Sequence, residues 1–280
     1  MQSRESRVTI SALQQMKRDR RKIVGVVAWD FQIAQIVDRA GVEIVSVGDT
    51  VGTNLWGHAS PLSVTMEEMI VVSKAVCRGV KRAIVSCDIP FGPLQEGIDS
   101  AVHAAIRLVK EAGVDMIKLD GAADFPEAVR AIARAGIPVF AQLGITPQTA
   151  LQHGISYSDM LKPGAEVPSE MTAKLVEEAT RLEDAGASLL DFTLSGPVAG
   201  PAVVAAVSIP VVGGLGGGPW LDGRMRMAHA AIGYAASTLD SKTETYANVA
   251  RITLDAITAY AEDVRAGRQI KGGIHATPAP

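Results

Sequence analysis

The residues best suited to chemistry in this chain are aspartates, and most of them close short β-branched runs. Asp30 follows the run Lys22–Trp29, Asp49 closes Glu43–Asp49, Asp88 closes Arg82–Asp88, and Met116–Gly121 carries Lys118 and Asp120. Carboxylates gathered at one end of a sheet repel one another strongly unless a cation sits among them. Hard oxygen donors without a His or Cys cluster select Mg²⁺ or Mn²⁺ over zinc. The competing role for each aspartate is to cap the helix that follows. Capping is the stronger reading for Asp30. Metal binding is the stronger one for Asp49 and Asp88, since each ends a buried strand and runs into a turn or loop. Lys118 and Asp120 alternate on one strand and share a face. If that face is interior, Lys118 is a buried cation fit to hold a substrate carboxylate; the alternative is a purely structural Lys–Asp pair.

These residues need a scaffold that brings strand ends together, and the chain has the pattern of one. Beyond the runs already named come Pro138–Gly144, Leu189–Leu194 and Pro210–Leu215. Between the runs lie stretches with apolar residues at helical spacing: Phe31–Ala40, Glu67–Val80, Ile98–Ala112, Pro126–Ala135 and Ala173–Ala185. Ala-Gly pairs at Ala40-Gly41, Ala112-Gly113, Ala135-Gly136 and Ala185-Gly186 mark helix ends, where glycine supplies a left-handed cap. Strand, helix, glycine, strand, repeated, predicts parallel βαβ units and a (β/α)₈ TIM barrel. Seven strands are clear. For the eighth, Ala235–Thr238 is the candidate before a long terminal helix, Glu244–Ala266. A helix over Ile10–Arg20 precedes the first strand and is placed to cover the barrel floor. His153–Ser169 reads as a long loop on the active-site side, a place where lids occur. No linker interrupts the pattern, which predicts one domain over residues 1–280 with its core at about 9–267.

Composition narrows the functional classes. Hydrophobic residues make up 48% of the chain but aromatics only 4%, leaving Ala, Val, Ile and Leu to fill the core. A net charge of −3 offers no field for nucleic acid or an anionic membrane. Cys77 and Cys87 form neither a metal-ligand pattern nor a disulfide framework, which fits a cytoplasmic location. The first residues lack an apolar signal core, and no stretch approaches the roughly 18 apolar residues of a membrane span.

Several motifs resemble the ketopantoate hydroxymethyltransferase family, whose members add a hydroxymethyl group to 2-oxoisovalerate on the way to pantothenate. They are Thr9-Ile10-Ser11-Ala12-Leu13-Gln14, Val47-Gly48-Asp49-Thr50-Val51-Gly52, Gly57-His58, Asp88-Ile89-Pro90-Phe91, Ile117-Lys118-Leu119-Asp120-Gly121, Leu143-Gly144-Ile145-Thr146-Pro147-Gln148 and Ile209-Pro210-Val211-Val212-Gly213. They run in order along nearly the whole chain. The resemblance implies a (β/α)₈ barrel of the phosphoenolpyruvate/pyruvate type, assembled as a homo-oligomer, a decamer in the family. It implies Mg²⁺ held by Asp49 and Asp88, with Asp120 where the family has a third acidic residue, Glu. It implies a small-molecule 2-oxo acid gripped by Lys118 and by Thr50, where the family usually has Ser. Methylene-tetrahydrofolate is the family's one-carbon donor.

Two further positions depart from the family pattern more sharply. Gln142 stands where the family has a histidine and is a candidate for substrate binding. Thr193 replaces the glutamate on the sixth strand that serves as general base. A threonine hydroxyl has no basicity near neutral pH. Asp191 faces the same side two residues earlier, about 6–7 Å deeper. The base is therefore sought in Asp191, in a metal-bound hydroxide or in the loop His153–Ser169. Three readings follow: hydroxymethyl transfer through an enolate; a paralogous lyase or hydrolase that reaches the enolate by C–C cleavage and needs no C–H base; and an inactive barrel kept for binding or assembly, against which the retained metal aspartates stand.

Overall fold

The computed structural model describes residues 7–162 and 164–272. Eight parallel strands close into a barrel in sequence order. They are β1 (Ile23–Val27), β2 (Ile44–Val47), β3 (Ile84–Asp88), β4 (Met116–Leu119), β5 (Val139–Gly144), β6 (Leu189–Thr193), β7 (Val211–Gly213) and β8 (Gly223–Met227). β1 pairs with β8 over Ile23↔Gly223 to Val27↔Met227, which seals the ring. The outer helices are α2 (Phe31–Arg39), α3 (Met66–Gly79), α4 (Ile98–Arg107), α5 (Pro126–Arg134), α6 (Thr172–Asp184) and α7 (Ala199–Ala206), preceded by α1 (Ile10–Arg18). The sequence-predicted helix to Ala112 is α4 plus a π-helical turn, Leu108–Ala112. At all four Ala-Gly junctions the glycine has positive φ: +86° at Gly41, +82° at Gly113, +83° at Gly136 and +98° at Gly186. Each is a conformation that a side chain would disfavour.

Strand alternation sorts the barrel interior into layers. The floor is apolar. One residue from each strand (Ile23, Ile44, Ile84, Met116, Phe140, Leu189, Val212, Met225) packs with Leu13 and Met16 of α1, which plugs the N-terminal end. Two residues further along each strand, the same inward face carries Ser46, Ser86, Lys118, Gln142 and Asp191, all buried. The barrel is thus oily at one end and polar at the other, and the polar end is where the strands finish.

The eighth strand is not Ala235–Thr238. That segment falls at a 3₁₀ turn, Ala236–Leu239, while the strand lies upstream at Gly223–Met227. β7 passes to β8 without a helix, so the strand–helix rhythm that located the others fails there. Its Gly-Arg-Met-Arg-Met alternation, with exposed arginines facing out, is the signal that was present. α7 also went unread: Ala-Gly-Pro-Ala-Val-Val-Ala-Ala has no polar face to set a helical period.

The chain divides into two compact units, Met1–Met227 and Ala228–Pro280, with no composition change to mark the division. The first holds the closed barrel. The second holds α8 (Val249–Arg265), five residues shorter at its start than the predicted Glu244–Ala266 because Asn248 caps it by accepting the Arg251 N–H. Among the described residues, no helix is long and apolar enough to cross a membrane.

Candidate active site

Lys118 is the centre of the polar layer. It is buried, with 9% of its surface exposed. Its ammonium lies 3.4 Å from Asp88 Oδ1 on β3 and 3.4 Å from Asp191 Oδ2 on β6, and it donates to Gln142 Oε1 on β5 at 2.5 Å. Gln142 Nε2 in turn donates to Thr193 Oγ1 at 2.7 Å. The two positions that depart most sharply from the family pattern are therefore hydrogen-bonded to each other, and one of them touches the lysine. Asp191 Oδ1 accepts the Gly214 N–H at 3.2 Å. Thr193 is fully buried, its hydroxyl turned into this chain of bonds rather than toward solvent.

A second set of contacts joins the ends of β2 and β4. The Asp49 N–H reaches Asp88 Oδ2 at 3.4 Å, so these two carboxylates share one end of the barrel. Gln148, in the turn after β5, donates its side chain to Asp49 Oδ2 at 3.1 Å and its backbone N–H to Asp120 Oδ2 at 3.2 Å. Thr146, whose hydroxyl pairs with Thr149 Oγ1 at 2.8 Å, lies near enough to pull the Asp120 carboxyl down against its burial. Gln148 closes the Leu-Gly-Ile-Thr-Pro-Gln run, which carries the family resemblance without revealing that this one residue holds two of the aspartates. Ser46 and Ser86, hydrogen-bonded to each other at 2.8 Å, complete the buried polar layer.

The other expected residues resolve plainly. Asp30 is the N-cap of α2, accepting the Ile33 N–H at 2.9 Å, as its capping reading requires. Thr50 follows Asp49 with its hydroxyl beside Gly48, where a Cβ would stand 2.8 Å from Thr50 Oγ1. The ion-pair partners of Lys118 are Asp88 and Asp191 rather than its strand neighbour Asp120. The loop after β5 is not structureless: it carries helical turns at Ala150–His153 and Tyr157–Met160. Together with α6 it walls a cleft of about 100 Å³, lined also by Gln142 and Gly144.

Electrostatics show what this site lacks. Asp49, Asp88, Asp120 and Asp191 face one ammonium. Burial, then Asp88 and Asp120, push the Asp49 carboxyl up to about 8. Burial raises Asp120 to about 6 against the pull of Lys118, and burial likewise raises Asp88. Burial alone would lower Lys118, but Asp88, Asp191, Asp120 and Asp49 together outweigh it and raise the ammonium above its ordinary value. The buried Asp120 Oδ1 has no hydrogen-bond partner, and Asp88 Oδ1 has only the Lys118 ammonium 3.4 Å away. Among the described residues, no three His, Cys, Asp or Glu side chains form a ready metal cage. Mg²⁺ asks for less: one or two carboxylates, with water and substrate completing its octahedron. An orphaned carboxylate oxygen on Asp120, excess negative charge and all-oxygen donors fit such a hard divalent cation.

A pH test follows. A carboxyl raised above its unfolded value of about 3.9 stabilises the fold fully below that value, and the contribution is lost as pH rises through the folded value. Cation-free protein should therefore lose stability from about pH 4 through pH 6, where Asp120 ionises, to pH 8, where Asp49 does. The loss should be on the order of a few kcal/mol, and millimolar Mg²⁺ should flatten it. Thermal melts at pH 5 and pH 8 with and without the cation check this; a cation-free Tm that climbs over that interval contradicts it.

Comparison with known proteins gives the architecture its lineage. The ketopantoate hydroxymethyltransferase family model matches residues 7–269. A protein of Moorella thermoacetica named 3-methyl-2-oxobutanoate hydroxymethyltransferase is 36% identical over 266 residues, covering 95% of this chain and 96% of its own. One of the same name from a Cyanothece species is 37% identical over 261 residues, covering 92% and 96%. Among solved structures, 2,3-dimethylmalate lyase, a member of the PEP mutase/isocitrate lyase superfamily, superposes with a TM-score of 0.59 at 15% identity, covering 96% of this chain and 91% of that one. Phosphonopyruvate hydrolase complexed with oxalate and Mg²⁺ gives 0.57 at 14% identity, covering 96% and 92%. At such identities the solved structures speak for the barrel alone, whereas the family match and the relatives span nearly the whole sequence: the chain belongs to the ketopantoate hydroxymethyltransferase family of enzymes.

Proposed function

We propose that this enzyme transfers a hydroxymethyl group to 2-oxoisovalerate through an enolate, with methylene-tetrahydrofolate as one-carbon donor and Mg²⁺, or Mn²⁺ in its place, at the barrel mouth. The observation that carries the reading is the single buried Lys118 ammonium set among several buried carboxylates, with Asp120 Oδ1 left without a hydrogen-bond partner. Asp49 and Asp88 would hold the cation with Asp120 beside it. When bound, it supplies Lewis acidity toward the 2-oxo oxygen.

The chain's own residues do the rest. Lys118, aided by the Thr50 hydroxyl, binds the substrate carboxylate. Asp88, Asp191 and Gln142 keep Lys118 from swinging, so it meets the anion without reorganising. Gln148 fixes Asp49 and Asp120 relative to each other. The floor packed by Leu13 and Met16 closes the far end of the barrel, so charge developing at the mouth is felt at low dielectric. An assay of ketopantoate formation from 2-oxoisovalerate and methylene-tetrahydrofolate tests the reading. Turnover that depends on Mg²⁺ supports it, and binding of the 2-oxo acid without turnover refutes the transferase step.

A second reading is favoured by one feature. Thr193 is fully buried and bonded to Gln142, so nothing on β6 at that level can accept a proton. A lyase or hydrolase that cleaves a C–C bond of a 2-oxo acid reaches the same enolate without a C–H base. Screening 2-oxo acids for cleavage products separates the two.

The same proposal includes a cytoplasmic homo-oligomer. Its support is α8, where Ile257, Tyr260 and Val264, spaced to share one face, are all exposed. Sedimentation should give a mass above the 29.3 kDa of one chain; a monomer at micromolar concentration refutes it.

A further inference from the structure

The loop between β5 and α6 runs along the end of β6 before α6 begins. Val167 is buried there, and its N–H donates to Leu194 O at 2.8 Å. Leu194 comes directly after Thr193 and has φ +55°, a left-handed conformation that non-glycine residues disfavour. It is held by that bond and by its own N–H donating to Leu215 O at 2.7 Å. Strain of this kind persists where surrounding structure enforces it, and it gathers at functional sites. The turn it makes presents Gly196 to the loop. A Cβ at Gly196 would stand 3.1 Å from Glu166 Oε2 and 3.2 Å from Glu166 Cδ. The Glu166 carboxyl group thus fills the space that a side chain at Gly196 would take.

Glu166 differs from the deeper carboxylates. Both oxygens of Asp191 already face donors, the Gly214 N–H and Lys118. Asp88 faces Lys118 and the Asp49 N–H. Asp49 and Asp120 are tied by Gln148 through one oxygen each, and the proposed function gives their other oxygens to the cation. Glu166 is exposed, one residue before the buried anchor Val167. Among the described residues it stands in no hydrogen bond or ion pair. It is the carboxylate carried by a neighbouring segment to the end of the strand whose own residue, Thr193, has no basic group.

From this juxtaposition we infer that Glu166, seated against Gly196, is the base that removes the C3 proton of the 2-oxo acid. The inference rests on the reading of the site as a 2-oxo acid enolase-type centre. In the step, the C3–H bond breaks and the proton passes to a Glu166 carboxylate oxygen. The C–H electron pair becomes the C2=C3 bond, and the C2=O π pair moves onto oxygen, giving the enolate. In the exchange reaction Glu166 trades this proton with solvent and gives one back to C3: the C2=C3 pair forms the new C3–H bond, and the oxygen lone pair restores C2=O.

The test is deuterium exchange at C3 of 2-oxoisovalerate in D₂O with Mg²⁺, followed by NMR, with binding of the same compound measured alongside. Glu166→Gln should slow exchange by about 10²–10⁴-fold, the usual worth of general-base catalysis, while the dissociation constant stays within about threefold. Glu166→Asp should restore part of the rate. Gly196→Ala, which leaves Glu166 in place chemically, should slow exchange at least tenfold by displacing the carboxyl. Exchange by Glu166→Gln within threefold of wild type overturns the inference and leaves the function standing. A wild type that binds the acid but exchanges no deuterium overturns the inference and favours the C–C cleavage reading. A wild type that binds no 2-oxo acid overturns both.

Discussion

Lys118→Met is expected to move two affinities in opposite directions. Methionine keeps most of the side-chain volume and removes the charge. Lys118 sits 3.4 Å from both Asp88 and Asp191, and at about 4 Å with an effective dielectric of about 20 each unit charge is worth about 4 kcal/mol. Loss of even part of that toward a bound carboxylate should weaken 2-oxo acid binding at least 100-fold, or about 2.7 kcal/mol. The same loss leaves Asp49, Asp88, Asp120 and Asp191 without a counter-charge, so the variant should bind Mg²⁺ more tightly than wild type. Stability should fall by about 3–5 kcal/mol at pH 8, the usual cost of breaking a buried pair from one side. That deficit should shrink toward pH 5, where the stranded carboxyls take up protons instead. Titration calorimetry with Mg²⁺ and with 2-oxoisovalerate, below the melting range, reads both affinities. A purely structural Lys118 would leave the acid's affinity unchanged in the folded fraction.

Thr193→Glu should not rescue or raise hydroxymethyl transfer, and it should destabilise the protein by about 2–4 kcal/mol at neutral pH. Thr193 is wholly buried, and its hydroxyl is the acceptor for Gln142. Glutamate adds volume to a packed interior, which typically costs about 1–3 kcal/mol. It also adds another carboxylate to a site already short of positive charge, and unpaired buried charge costs more. Gln142 cannot relieve this, since its carbonyl is committed to Lys118 and its amide supplies only hydrogen bonds. Chemical denaturation and the transfer assay give the answer together. A gain of tenfold or more in Thr193→Glu would mean that the proton is taken at the β6 position, and it would count against Glu166.

Much of the barrel was legible because each clear unit repeats one local rule: a β-branched run, an amphipathic helix, a glycine at the helix end. Where the rule lapses, reading lapsed with it. β8 follows β7 without a helix, and α7 is apolar all round. At the site, residues whose type betrays them were found: Asp49, Asp88, Lys118, Asp120 and Asp191 all converge, while Asp30 proved a cap. What escaped were partners set by three-dimensional contact. No spacing says that Gln142 bridges Lys118 and Thr193, or that Gln148 ties Asp49 to Asp120. The position of Glu166 depends on a left-handed leucine and a gap at Gly196, neither of which has a sequence period.

The central claim is that this barrel mouth stabilises the enolate of a 2-oxo acid with the help of a divalent cation. Proton NMR of 2-oxoisovalerate incubated with the wild-type enzyme in D₂O tests it most directly. The account predicts loss of the C3 proton signal with enzyme and Mg²⁺, little loss once the cation is chelated, and recovery when it is restored. Exchange at the same rate with and without the cation, or no exchange at any pH between 6 and 9 with Mg²⁺ present, would contradict it.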